Sequence, residues 1–340
     1  MAAIGVSNRV SVAYVEEGAL TYGTTPNNPA FAPLRITSES LNYGKKTTVS
    51  QELRSDRMIS DVIPTEIDVA GDINFEWSAD AAETGSLLYV TDPLLCAAIG
   101  SANFDMSSTD TLLNTSVSNG TTARSFTFQK VFNDLGAPVY VNYKGVRVGG
   151  MSLNMAKGSI ITGSFKLMGN DAAVTTTTLT GQSTSTAVLY TGDVRATMGD
   201  VTGLTIGNTT TSILQSLTMD INNNLRSQTQ IGAQAAANIA LGKMDLTGSF
   251  DMYFQNSTEY QKFLNNTSFA LTWAIGAPNV LTAGNQQYIF TLPKCKYESV
   301  NVVAGGLDQD IIAKFTYRAL YDPISTHCIT INKKKLRTAV

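Results

Sequence analysis

Two stretches of this chain alternate apolar and polar side chains without a break. In "VAGDINFEWS", Val69, Gly71, Ile73, Phe75 and Trp77 form one set, and Ala70, Asp72, Asn74 and Glu76 the other. In "LTGSFDMYFQ", Leu246, Gly248, Phe250, Met252 and Phe254 match the first set; Thr247, Ser249, Asp251 and Tyr253 match the second. Side chains on a strand point alternately to opposite faces. Each stretch is therefore expected to be a half-buried strand. Ile73, Phe75, Trp77, Phe250, Met252 and Phe254 should lie in a core; Asp72, Asn74, Glu76, Ser249 and Asp251 should face out. Gly71 and Gly248 hold the same inward position, which predicts a bulge or the close approach of another backbone.

The surroundings of the two strands also correspond. "QELRSDRMIS" precedes the first and "NNLRSQTQIG" the second; both contain Leu-Arg-Ser, at Leu53 and Leu225, 172 residues apart. Short alternating runs, "SLNYG" and "SLTMDIN", lead into each phrase. After each strand comes a candidate helix. "DPLLCAAIG" offers Asp92 as N-cap and Pro93 at the first turn, and "NSTEYQKFLNN" offers Asn256 as cap with Glu259 completing a capping box. Each copy closes on a strand pair with an aromatic, Phe165 or Phe315, downstream of a glycine, Gly158 or Gly306. The pattern predicts a mainly β chain with two tandem units, at 36–171 and 191–332, each with one flanking helix. A Pro/Gly-punctuated, extended arm (1–35) comes first. A Thr/Ser/Gly-rich linker or edge hairpin (172–190) lies between the units, and a basic tail (333–340) follows them. The polar loops Leu53–Asp68 and Leu225–Asp245 are long enough to expect a function, and no turn-rich core of their own is apparent in either.

Composition narrows the function. Only 15% of the 340 residues are charged, against the usual quarter, so Ser, Thr, Asn and Gln must cover the surface. The net charge is −3, whereas a protein that grips phosphates is normally basic. Residues 1–172 hold 12 basic and 17 acidic side chains, and residues 173–340 hold 12 and 10. Lys333, Lys334, Lys335 and Arg337 crowd the C-terminal end, where solvation is the plain expectation and contact with an acidic neighbour the sharper one. Cys96, Cys295 and Cys328 are scattered; Cys96, in "PLLCAAIG", reads as core, and no Cys/His spacing suggests zinc. No secretory signal pattern or 18-residue apolar run is present, which fits a reducing compartment and no membrane.

Catalytic constellations are missing too. The single histidine, His327, neighbours Cys328, but adjacent strand residues face opposite ways and cannot pair as base and nucleophile. Asp308 and Asp310 in "GGLDQD" lack a third ligand and read as solvated turn acids. "RVGGMSLN" and "VAGGLDQ" lack the strand–loop–helix context of a phosphate loop. Arg54, Arg57 and Arg226 lie in loops beside acids or amides, which favours hydrogen bonds between subunits over phosphate contacts. No enzyme activity, cofactor or metal is expected.

At this point the chain resembles a known family. "SNRVSVAYVEEGALTYGTTPNNPAFAPLRITSESL" followed by "TVSQELRSDRMISDVIPTEIDVAGDINFEWS" is similar to the major tail tube proteins of long-tailed, siphovirus-type bacteriophages. "NNLRSQTQIG", "LTGSFDMYF" and "GGLDQDI" look like a second, looser unit of the same kind. "SADAAETGSLLYVTDPLL" is longer than that family's strand-to-helix link. The resemblance implies β-sandwich or barrel-like units whose inner sheets join around a hollow tube of stacked rings. It also implies homotrimeric rings of pseudo-sixfold symmetry and partners among the terminator, tape-measure and distal tail proteins. Double-stranded DNA would pass through without specific binding. The protein would belong to the virion and be made in the host bacterial cytoplasm. Leu53, Arg54, Asp56, Arg57, Asp61, Leu225, Arg226 and Gln228 become candidates for contacts between subunits or rings; Asp72, Asn74, Glu76, Ser249 and Asp251 become candidates to line the lumen or face solvent. A tandem β-sandwich module binding carbohydrate or a host surface, or a surface-lattice protein, remains the alternative.

Overall fold

A computed structural model describes residues 5–6, 9–18, 21–78, 89–107, 110, 112–184, 193–207, 209–210, 213–277, 286–304 and 306–336. Most of the link before the first helix, the end of the Thr/Ser/Gly-rich run, Gly305 and Arg337 lie outside the described residues.

The chain is mainly β. Its first half contains β1 (Val10–Glu16), β2 (Ala30–Leu34), β3 (Ser38–Glu39), β4 (Asn42–Val49), β5 (Val62–Glu76), α1 (Asp92–Ala98), β6 (Leu112–Ser118), β7 (Phe126–Phe132), β8 (Val139–Ala156), β9 (Thr162–Gly169), β10 (Asp171–Thr175) and β11 (Ser183–Thr184). The second contains α2 (Thr197–Asp200), β12 (Val201–Ile206), β13 (Thr209–Thr210), β14 (Leu214–Asn222), β15 (Arg226–Gln228), β16 (Asn238–Ala240), β17 (Asp245–Tyr253), α3 (Thr258–Leu264), β18 (Phe269–Gly276), β19 (Gln286–Val303), β20 (Ile312–Ala319) and β21 (Thr330–Leu336).

One antiparallel sheet runs β4–β5–β9–β8–β14–β17–β20–β19. The strands β8 and β19 are long enough to leave this sheet and enter a second layer. There the first half of β8 joins β7, β1, β2 and β10, while the first half of β19 joins β18, β12, β21 and β6. Strands that switch sheets at a corner are a standard way of closing a sandwich. Both carry a register shift at the same place against their partner, at Val148/Gly150 with β9 and at Tyr297/Ser299 with β20.

The alternation read from sequence sets the buried face. Ile73, Phe75, Trp77 and Phe250 are buried, with Ile73 opposite Phe165 and Phe250 opposite Phe315. Phe75 stacks on Phe165 at 4.9 Å and Phe250 on Phe315 at 5.1 Å. Met252 is only half-buried, and Phe254 is exposed just past the end of β17, so the inward series stops sooner than the sequence pattern does. The two glycines mark close approach. A Cβ on Gly71 would lie 2.5 Å from the Leu41 Cα, and one on Gly248 would lie 2.3 Å from the Thr218 carbonyl oxygen. Trp77 packs edge-on against Tyr288 and Phe290, so the two halves share one core.

Some expectations gain detail and others are corrected. The N-terminal arm is extended, with β1 paired to both β2 and β7. The linker begins as strand β10 on the edge of β8. Asp92 is not a cap: it is the first residue of α1, and its carboxylate is claimed by the Tyr89 amide, the Tyr288 hydroxyl and Lys333. Lys333 is consequently not solvated. It is buried in β21 beside the rings of Tyr89, Phe104 and Tyr288. Burial pulls its ammonium below the ordinary lysine value, and the Asp92 carboxylate opposes that shift. The capping box of α3 does not form. Asn256 accepts from the Thr258 amide one position early, while Glu259 binds Lys262 and Tyr297.

Candidate functional site

The outward face of the long sheet is polar, and its charges alternate in sign. Asp72 lies in register with Lys166 and Asp251 with Lys314. Lys166 also reaches over β8 to Asp220, 3.3 Å away. At one end, Arg318 binds both Asp245 and Glu298, which raise its already high pKa. Of the residues expected to face out, Asp72 is exposed, while Asn74, Glu76, Ser249 and Asp251 are half-buried. Asn74 donates to the Ser38 hydroxyl and Ser249 shares a hydrogen bond with Thr218. Lys166 and Lys314 each lie opposite a carboxylate, so across these strands, among the described residues, cations and anions are mixed and do not form a cationic track for a phosphate backbone. Among the described residues, no three His, Cys, Asp or Glu side chains converge as a metal-ligand set.

The two Leu-Arg-Ser loops take different conformations. In the first, the β4–β5 hairpin shifts register at Lys46/Thr47 and continues out to Val49 and Val62, so the free loop is shorter than the sequence suggested; the Ser50 amide closes it on the Asp61 carbonyl. Arg54 donates twice to Asp56, whose carboxylate also accepts from the Met58 amide. These bonds hold the Asp56 carboxyl below its usual pKa. Arg57 takes up the left-handed turn conformation with φ 61°, and Asp61 accepts from the Val62 amide. Leu53 is fully exposed, and Met58, Ile59, Val62 and Ile63 are exposed near it.

The second loop, contrary to expectation, has structure of its own. Arg226–Gln228 pairs with Asn238–Ala240, and Gln228 accepts from the Asn238 side chain. It also folds back on the first half. Leu225 packs over Gly149, and Ile239 is buried with its carbonyl bound by Arg147. The Gln234 carbonyl accepts from the Ile67 amide at 3.0 Å. Asn223 is buried at the turn and donates to the carbonyls of Ala98 and Val148. The two sets of candidates therefore lie in separate loops, and the second leans on the stem of the first hairpin.

Residue-by-residue reading missed the sheet's two outer edges. β4 has only β5 beside it, and Ser299–Val303 of β19 has only β20, among the described residues. An unpaired edge invites another strand. The one available signal was the likeness of the runs around Leu41 and Met219, which had no meaning until the partner of each strand was known.

No curated protein sequence matches the chain. The family model described as phage tail tube protein matches residues 7–319, nearly the whole chain, and the protein therefore belongs to the phage tail tube family.

Proposed function

We propose that the chain is a double tube subunit: two tandem tail-tube units, residues 36–171 and 191–332, supply two of six positions in a ring. Strands β1 and β2 complete the outer layer of the first unit. Three chains close each pseudo-sixfold ring, and the rings stack into a hollow, siphovirus-type tail tube through which DNA leaves the virion. The terminator, tape-measure and distal tail proteins are its partners at the ends and in the lumen. One observation carries the reading. The strand order β4–β5–β9–β8 is followed by β14–β17–β20–β19, joined head to tail through β8 and β14. A head-to-tail contact that repeats with a closing rotation generates a ring.

In that ring Asp72, Asn74, Glu76, Ser249 and Asp251 line the lumen, where mixed charge lets DNA pass without being held. Leu53, Arg54, Asp56, Arg57 and Asp61 meet a neighbouring subunit or ring; Leu225, Arg226 and Gln228 lie in the loop that makes the corresponding contact within the chain. Negative-stain microscopy of the purified protein tests the proposal. Rings of three chains, free or stacked into tubes, are expected. Monomers, or rings of six whole chains with one half of each on the outside, would overturn it.

A further inference from the structure

The joint inside the chain predicts the joint between chains, residue by residue. This inference rests on the ring reading above. Within the chain, β8 meets β14 with Leu153 opposite Met219, Ser152 opposite Asp220, Met151 opposite Ile221 and Gly150 opposite Asn222. Each strand has an equivalent at a free edge. Met151 faces Phe165 as Val300 faces Phe315, on the same side of the shared register shift. Leu217 faces Phe250 as Glu39 faces Ile73. Met151 thus corresponds to Val300, and Ile221 to Tyr43.

We propose that β19 of one chain pairs antiparallel with β4 of a second copy, with Val300 opposite Tyr43, Asn301 opposite Asn42 and Ser299 opposite Gly44. Val302 then lies beside Leu41, and Glu298 beside Lys45. Regular pairing starts at Asn42. The Leu41 amide is already bound by Glu39, and its carbonyl by Lys130 and Tyr143.

The resulting pairs are chemically matched. Val300, Val302, Leu41 and Tyr43 fall together on the core-facing side, as Met151, Leu153, Met219 and Ile221 do in the internal joint. Asn301, Asn42 and Ser299 fall on the polar side. At the end of the ladder Lys45 takes the place of Asn223. It is exposed, and Glu298, which it would join beside Arg318, is 44% exposed and so keeps room for a second cation. Sliding one residue would set Asn301 against Leu41 and expose the valines. Sliding two would set Val302 against Glu39, already held by Lys130 at 2.8 Å.

Disulfide trapping reads the register. The Ser40 amide donates to Asp72 on β5, so the backbone of Asn42, two residues on, also turns toward β5. Asn42 and Asn301 would then form a non-hydrogen-bonded pair, with Cα atoms about 4.5 Å apart, within disulfide reach. In a Cys328→Ser background, Asn301→Cys is combined in turn with Asn42→Cys, Ser40→Cys or Gly44→Cys, and assembled protein is oxidised. The Asn42 combination should give covalent trimers at least several-fold more readily than the other two. Faster linkage in a shifted combination, or none in any while tubes form, would overturn the register and leave the ring standing. If the unmodified protein forms no rings, the ring reading fails and this joint fails with it. Should cysteine variants not assemble, charge reversal decides. Lys45→Glu or Glu298→Lys should each raise the concentration needed for assembly by about fivefold, and the double reversal should restore it. A double variant no better than the singles would count against the pairing.

Discussion

Helices α1 and α3 hold the same place in the strand order, one after β5 and one after β17, yet their surroundings differ. α1 buries six of its seven residues; α3 buries none. Lys333 of β21 and Asn223 of the second loop, both from the second half, reach α1. Leu264 of α3 is 62% exposed. The loops show the same contrast with the halves reversed: the second rests on the first half, while Leu53 in the first is fully exposed. An element is buried where the chain brings its own neighbour, and α3 and the first loop are the parts the proposed ring would cover.

The largest effects should come from the shared core. Phe250→Ala should cost about 3–5 kcal/mol, and Ile73→Val, at the equivalent position, about 0.5–1.5 kcal/mol. Because Trp77 packs on Tyr288 and Phe290, both variants should still unfold in one transition on denaturant titration. Two separate transitions would show that the halves are energetically independent.

The helices give the next test. Leu94→Ala, fully buried in α1, should cost about 2–5 kcal/mol; Leu264→Ala in α3 should stay within about 0.5 kcal/mol. In assembled tubes, hydrogen exchange should slow at α3 and the first loop relative to the unassembled chain. Unchanged exchange at α3 on assembly would break the comparison.

Replacing residues 51–60 by a short Gly/Ser turn should leave the fold and its midpoint unchanged while abolishing tubes in the microscope. Normal tubes would show that the exposed apolar cluster serves no contact. On the polar face, Glu76→Gln and Asp251→Asn should each change stability by less than about 0.5 kcal/mol, while slowing DNA release from virions that carry them.

The smallest effect is a pH dependence confined to one loop. The folded pKa of Asp56 is depressed by Arg54 and the Met58 amide. Its contribution to loop order is therefore complete above the unfolded aspartate value of about 3.9 and is lost as pH falls through the lower folded value. The Met58 amide resonance should report this in NMR, and Asp56→Asn should remove it. No Asp or Glu lies between Asn223 and Met244, so the second loop should not respond.

Much of this architecture was legible in the sequence because strand periodicity is local. Seven residues suffice to show that Ile73 and Phe75 point one way and Asp72 and Asn74 the other. Gly71 and Gly248 marked close approach because a side chain there would strike the neighbouring backbone. The family likeness rested on the same local patterns. The edges of the candidate site were not legible in this way, because an edge is defined by the absence of a partner far along the chain.

By itself the sequence determined that Ile73, Phe75, Trp77 and Phe250 point into a core and that Gly71 and Gly248 meet a neighbouring backbone, each set by the few bonds between neighbouring residues. Tertiary structure alone decided which strands meet. It placed Lys333 against Asp92, 241 positions away, where a buried carboxylate holds a cation that the sequence left between solvent and an unnamed acidic neighbour. It also gave one Leu-Arg-Ser loop a surface to fold on and left the other without one. Those outcomes depend on long-range pairing, in which a residue's environment comes from whichever distant segment packs beside it.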